Sequence, residues 1–221
     1  MTASGPTDAA LTGTDPLDEA GIVDAHHHVW ELSAHDQPWL ALPGNEPLLR
    51  DYREADLRPL AATAGVSATV VVQTVAERQE TLELLSIALG SDLIAGVVGW
   101  TDLESAAVSD ALAELRAAPG GALLSGIRHP VLVEDDPDWL RRPAVLAGLS
   151  AVGQAGLAYD LIVPSDLLPA ARDAAAACPG LNFVIDHCGN PNIGRQPDEL
   201  WMHDVRELAA LPNTVCKLSG L

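Results

Sequence analysis

From Ile22 onward the chain alternates short apolar runs with longer amphipathic ones, and this alternation restricts the fold more than any other feature. Residues 22–29, 68–74, 94–100, 124–130, 158–163, 182–187 and 214–218 read as strands, being short, rich in Val, Ile or Leu, and bounded by Gly, Pro or Asn. Several are apolar almost throughout, the pattern of parallel strands covered on both faces. Between them, residues 50–64, 76–89, 102–118, 138–154, 165–178 and 198–211 carry helical patterns with Gly or Pro at or near their C-terminal ends.

Strand–helix alternation implies a parallel sheet with right-handed crossovers. An open doubly wound sheet and a closed barrel both satisfy it. A dinucleotide-binding open sheet places GxGxxG in the first turn, whereas that turn here is Val29-Trp30-Glu31-Leu32. Chemically able residues collect instead at the C-terminal ends of most strands, where a (β/α)₈ barrel builds its active site. We therefore expect an α/β TIM barrel. Seven strands are counted where the type has eight over about 250 residues, so residues 22–221 are expected to form a C-terminally incomplete barrel, as in a fragment. Residues 1–21 are expected to be a flexible N-terminal tail. Open strand edges favour pairing between chains, so aggregation or a homo-oligomer is a further expectation.

Composition narrows the partners. A formal net charge of −19 excludes nucleic acid, because phosphate contacts need clustered Lys and Arg. No apolar run approaches the roughly 18 residues of a membrane helix, and the first residues lack the basic and apolar regions of a signal peptide. A cytoplasmic protein acting on a small molecule is expected. Cys178, Cys188 and Cys216 form no CxxC pair, so neither a disulfide framework nor a thiolate zinc site is implied.

The strongest local signal is Asp24-Ala25-His26-His27-His28. Side chains alternate along a strand, so His26 and His28 share one face and can chelate a divalent metal. His27 faces the other way, to pack outside or bond a helix. His187 ends the sixth apolar run, where a third ligand or a catalytic imidazole would sit. Asp186 alternates with it, so a regular strand cannot turn both inward; Asp186 is left to orient a neighbour or cap the loop. Arg128 can grip a substrate carboxylate or hydroxyl as a fork, or pair with Glu134-Asp135-Asp136. His129 points opposite to Arg128, which makes one of the two structural. Gln73 offers hydrogen bonds after three valines, and Asp160 lies too early in its strand to be placed at the mouth. Lys217, the sole lysine, stands in an apolar strand and needs a partner, either an anionic substrate group or a carboxylate elsewhere. The long loop of residues 30–49, with Trp39, Pro38, Pro43 and Pro47, is expected to cover part of the site or to staple the rim.

Asp24-Ala25-His26-His27-His28-Val29-Trp30 followed by Gln37-Pro38-Trp39-Leu40 resembles the opening of the amidohydrolase-2 family, closest to its sugar-lactonase and 2-pyrone-4,6-dicarboxylate lactonase-like group. The likeness continues through Val72-Gln73, Gly99-Trp100-Thr101-Asp102, Gly126-Ile127-Arg128-His129, Asp186-His187-Cys188-Gly189-Asn190-Pro191 and Cys216-Lys217-Leu218-Ser219-Gly220-Leu221. It implies a deformed TIM barrel that opens a small cyclic ester. It implies His26, His28 and His187 as catalytic, metal-type histidines and Arg128 among the substrate contacts, to which Gln73, His129 and Lys217 are added as candidates. Group members differ in their need for a metal, so one divalent ion, zinc by preference, and a metal-independent site are both open. The family's water-activating aspartate lies on strand eight, in a Gly-Ser-Asp-Trp-Pro-like stretch that has no counterpart up to Leu221. This polypeptide alone is therefore expected to be inactive. The competing readings are a metal-dependent decarboxylase of the same superfamily and a truncated or degenerate non-catalytic barrel.

Overall fold

A computed structural model describes residues 21–193 and 199–219, and within them all seven expected strands form one parallel sheet in chain order. These are β1 (Ile22–His27), β2 (Val66–Val72), β3 (Ile94–Gly99), β4 (Leu124–Pro130), β5 (Ala158–Ile162), β6 (Phe183–Ile185) and β7 (Thr214–Cys216). Six α-helices alternate with them: α1 (Glu54–Thr63), α2 (Arg78–Leu89), α3 (Val108–Ala117), α4 (Pro143–Gln154), α5 (Leu168–Ala177) and α6 (Glu199–Ala209). The sheet curls, bringing Lys217 beyond β7 against His26 of β1 across 191 residues of sequence. This is the wall of an incomplete TIM barrel. The tail expected over residues 1–21 lies, apart from Gly21, outside the described residues.

The apolar core sits between sheet and helices. Leu84 and Leu85 of α2, Leu112 and Leu115 of α3, Val145, Leu149 and Val152 of α4, and Ala171 and Ala174 of α5 are buried against Val97, Ile127, Tyr159, Leu161 and Phe183. Each large aliphatic side chain removed from water contributes about 1.5–3 kcal/mol, so this layer fixes the wall on which the site is mounted. The inner face is polar: Gln73, Arg128, Asp160 and Asp186 are buried there.

Helix starts differ from expectation for identifiable reasons. The fourth helix begins at Pro143 rather than at residue 138, because proline favours the first helical position and holds Arg142 extended before it. A separate 3₁₀ turn, Trp139–Arg141, precedes it. The sixth strand ends at Ile185 rather than 187, and its successor residues are unusual. His187, Cys188, Gly189 and Asn190 have φ of 52°, 53°, 71° and 50°, a left-handed turn in which three members carry a Cβ. Each such residue costs roughly 1–2 kcal/mol in that region. The turn is held by Cys188 N–H donating to Lys217 O (3.2 Å), Asn190 Nδ2 donating to Val163 O (2.7 Å) and Trp201 Nε1 donating to Cys188 O (2.8 Å).

Candidate active site

The C-terminal end of β1 presents His26 and the following His28 on one face, as alternation requires, with their Nε2 atoms 3.1 Å apart. His28 Nδ1 donates to Val72 O at the end of β2 (2.8 Å), which leaves His28 Nε2 as an acceptor. In neutral His26, Nε2 then supplies the hydrogen between the two rings and Nδ1 carries the lone pair that accepts from Lys217 Nζ (3.3 Å), while a protonated His26 would instead turn Nδ1–H toward Asp186. One main-chain carbonyl thus sets two tautomers in sequence. Burial, with Arg128 and His26 nearby, holds the His28 pKa well below the usual imidazole range.

The left-handed turn after β6 does what a regular strand cannot: it aims both Asp186 and His187 inward. The His187 ring lies 4.6 Å from the His26 ring, and its Nδ1 meets Ser219 Oγ at 2.9 Å. Burial and the neighbouring His26 lower its pKa. Asp186 Oδ2 accepts from Arg128 Nη1 (3.1 Å). Asp186 Oδ1 faces Lys217 Nζ at 3.1 Å and His26 Nδ1 at 3.4 Å, without a well-directed hydrogen bond from either. Burial would raise the Asp186 pKa, but His26, Lys217 and Arg128 together hold it well below the ordinary carboxylate range. Among the described residues, His26, Asp186 and His187 are the one group of three potential metal ligands whose donor atoms all lie within 4.8 Å of one another.

The remaining candidates divide between this cluster and its surroundings. Arg128 pairs with Asp186 rather than with the 134–136 loop, and its Nη2 donates to Gln73 O; Gln73 Nε2 returns a bond to Arg128 O (3.2 Å). Lys217 pairs with carboxylates, Asp160 as well as Asp186. Burial and Asp186 push the Asp160 pKa up, against the pull of Lys217. His129 stands apart from the imidazole cluster, stacked 4.3 Å from Trp139, with Nδ1 accepting from Trp100 Nε1 (3.0 Å) and Nε2 against Glu134 Oε1 (2.7 Å). His27 bonds Thr69 Oγ1 of the neighbouring strand (3.0 Å), not a helix.

The 30–49 loop is stapled to the β2–α2 connection. Gln37 Nε2 donates to Thr74 Oγ1 (2.9 Å) and accepts at Oε1 from Trp39 Nε1 (2.6 Å), while His35 lies between Glu77 and Glu83 at 2.8 Å from each. A cavity of about 600 Å³ lies within the loop, lined by Leu32, Gln37, Leu40 and Leu49 among others, and none of the cluster residues lines it.

The residues that sequence reasoning missed are Asp160 and the inward role of Asp186. Asp160 interrupts an apolar strand, and a carboxylate there needs a partner for the same desolvation reason that singles out Lys217.

Residues 23–221 match the family model described as Amidohydrolase. This chain belongs to the amidohydrolase family. It is 37% identical over 201 residues to an L-fucono-1,5-lactonase of Burkholderia ambifaria, an alignment covering 90% of this amidohydrolase and 67% of that relative. It is 35% identical to the crystal structure of an amidohydrolase from Burkholderia multivorans with bound zinc, with a TM-score of 0.83 over 90% of this chain and 69% of that one. A probable 2-pyrone-4,6-dicarboxylic acid hydrolase from Acinetobacter baumannii, 17% identical with a TM-score of 0.72 over 90% of this chain and 70% of that one, shares the fold. The amidohydrolase spans about two thirds of the length of these relatives.

Proposed function

We propose that this amidohydrolase is a hydrolase that opens a small sugar lactone of the L-fucono-1,5-lactone kind. The observation that carries the reading is the convergence of imidazoles from β1 and the β6 turn on one buried carboxylate, Asp186, in a chain related to L-fucono-1,5-lactonases. Water adds to the lactone carbonyl carbon, the tetrahedral oxyanion collapses, and the ring C–O bond breaks. The ring oxygen takes a proton and the product is a hydroxy acid.

The donor set suits a divalent ion, with zinc preferred. Asp186 Oδ1 is buried and lacks a directed hydrogen bond, His26 Nδ1 carries a lone pair, and their 3.4 Å separation equals the edge of a tetrahedron with bonds of about 2.1 Å. His26, Asp186 and His187 would hold such an ion, which supplies polarisation of the carbonyl and acidification of a water. His28 fixes the His26 tautomer from behind. Arg128 donates through Nη1 to Asp186 and through Nη2 to Gln73 O, and Gln73 Nε2 returns a bond to Arg128 O, so we assign the pair to positioning that carboxylate. His129 is assigned to the wall, through Trp139 and Trp100. By the resemblance, the base that deprotonates water is an aspartate of an eighth strand.

Among the described residues no helix is long and apolar enough to cross a membrane. Three free cysteines suit a reducing compartment, and we place the enzyme in the cytoplasm. A pH-indicator assay of the full-length protein on a panel of sugar lactones tests the reading. Turnover of at least one 1,5-lactone is expected, with a loss of about 10²-fold or more in His26→Ala, in line with the removal of an electrostatic stabiliser. Equal rates for the two proteins would refute it.

A further inference from the structure

Lys217 makes the cluster more than a set of metal donors. Its Nζ lies 3.1 Å from Asp186 Oδ1 and 3.3 Å from His26 Nδ1, and those two atoms are 3.4 Å from each other. The three atoms form a nearly equilateral triangle. An ion bonded to both Oδ1 and Nδ1 at about 2.1 Å is confined to a ring around the line joining them, and no point of that ring is more than about 4 Å from Nζ. An ammonium has three donors and no lone pair, so it cannot join as a ligand. Even at an effective dielectric of about 20, a unit charge and a divalent charge at that distance repel by several kcal/mol.

The ammonium also has little freedom to withdraw, because Asp160 grips it from β5. That carboxylate is 2% exposed and Lys217 is its only ion-pair partner among the described residues. Charge counting gives the same result. Arg128 and Lys217 are matched by Asp160 and Asp186, and an added divalent ion leaves an excess of positive charge unless the lysine moves.

We propose that Lys217 and a divalent ion exclude one another at the His26–Asp186 corner. The lysine is a tethered cation that occupies the metal's place, lowers metal affinity and gives the cluster an ordered metal-free arrangement. This rests on reading His26, Asp186 and His187 as the metal site, and the two ideas fail differently.

Zinc affinity of the full-length protein, measured by competition with a chromophoric chelator, provides the test. Lys217→Met is expected to bind zinc at least about tenfold more tightly than the wild type, because the repelling charge is gone while Asp160 remains. Lys217→Arg keeps the charge and is expected to bind no more tightly than the wild type. Adding His187→Ala to Lys217→Met is expected to abolish the gain. Should Lys217→Met fail to fold by circular dichroism, Lys217→Met/Asp160→Asn removes both members of the pair and is compared in the same way. Equal or weaker zinc binding on removing the lysine overturns the exclusion and leaves the site standing. Zinc bound by none of these proteins overturns the site itself.

Discussion

Asn190 offers a direct measurement of what the turn after β6 costs and what it does. Two terms enter for Asn190→Ala. Alanine at φ 50° pays the left-handed penalty that asparagine partly escapes, about 1 kcal/mol. Loss of the 2.7 Å bond from Nδ2 to Val163 O leaves that acceptor without this donor, at about 1–3 kcal/mol. The sum is about 2–4 kcal/mol, which for a domain of this size lowers Tm by roughly 5–15 °C. Asn190→Gly loses the same bond but not the φ preference, so it should fall about 1 kcal/mol short of the alanine variant. Urea unfolding of the three proteins measures both terms, and lactone hydrolysis should fall with them because Asp186 and His187 are carried by the same turn. Alanine and glycine variants both within about 0.5 kcal/mol of the wild type, the usual span of a neutral surface change, would refute the strain argument.

Four other outcomes follow from the structure. Asp160→Leu leaves Arg128 and Lys217 to share the single carboxylate of Asp186, an unmatched interior charge that should destabilise by up to about 3–5 kcal/mol, with the double change Asp160→Leu/Lys217→Met much milder; denaturant titration separates them. Leu85→Ala, fully buried against the sheet, should cost about 2–5 kcal/mol in the same assay. His129→Gln should lower Tm through the lost Trp139 stack while leaving zinc affinity unchanged. Burial opposes protonation of His35, but its bonds to Glu83 and Glu77 prevail and raise its pKa. The stability this adds is complete below about 6.5, the unfolded value, and is lost as pH rises through the higher folded value. Thermal unfolding of His35→Gln should therefore lack the decline seen in the wild type above that pH.

The barrel wall was legible because strand and helix periods differ and elements are punctuated by Gly or Pro; at the fourth helix the start slipped because Pro143 overrode the apolar pattern. The pairing of His26 with His28 followed from alternation alone. Alternation also misled, since it separated Asp186 from His187 by a rule that holds only inside a strand, and β6 stops at Ile185. Within that turn Gly189 and Asn190 advertise a left-handed backbone; His187 and Cys188 do not. Asp160 was missed because height in a barrel is not counted from the start of a strand. Gly126 pairs with Ala158, so β4 starts two residues lower than β5, and Arg128 and Asp160 share one tier. That stagger has no local signature.

The balance of Arg128 and Lys217 against Asp160 and Asp186 bears on traffic through the proposed site. A lactone arrives uncharged and departs as an anion. Both interior cations are already spoken for, and the molecule as a whole carries a formal charge of −19. In the metal-free arrangement the newly made carboxylate meets interior cations that are already ion-paired and a repelling field outside, so product should leave readily, whereas a bound divalent ion would hold it longer.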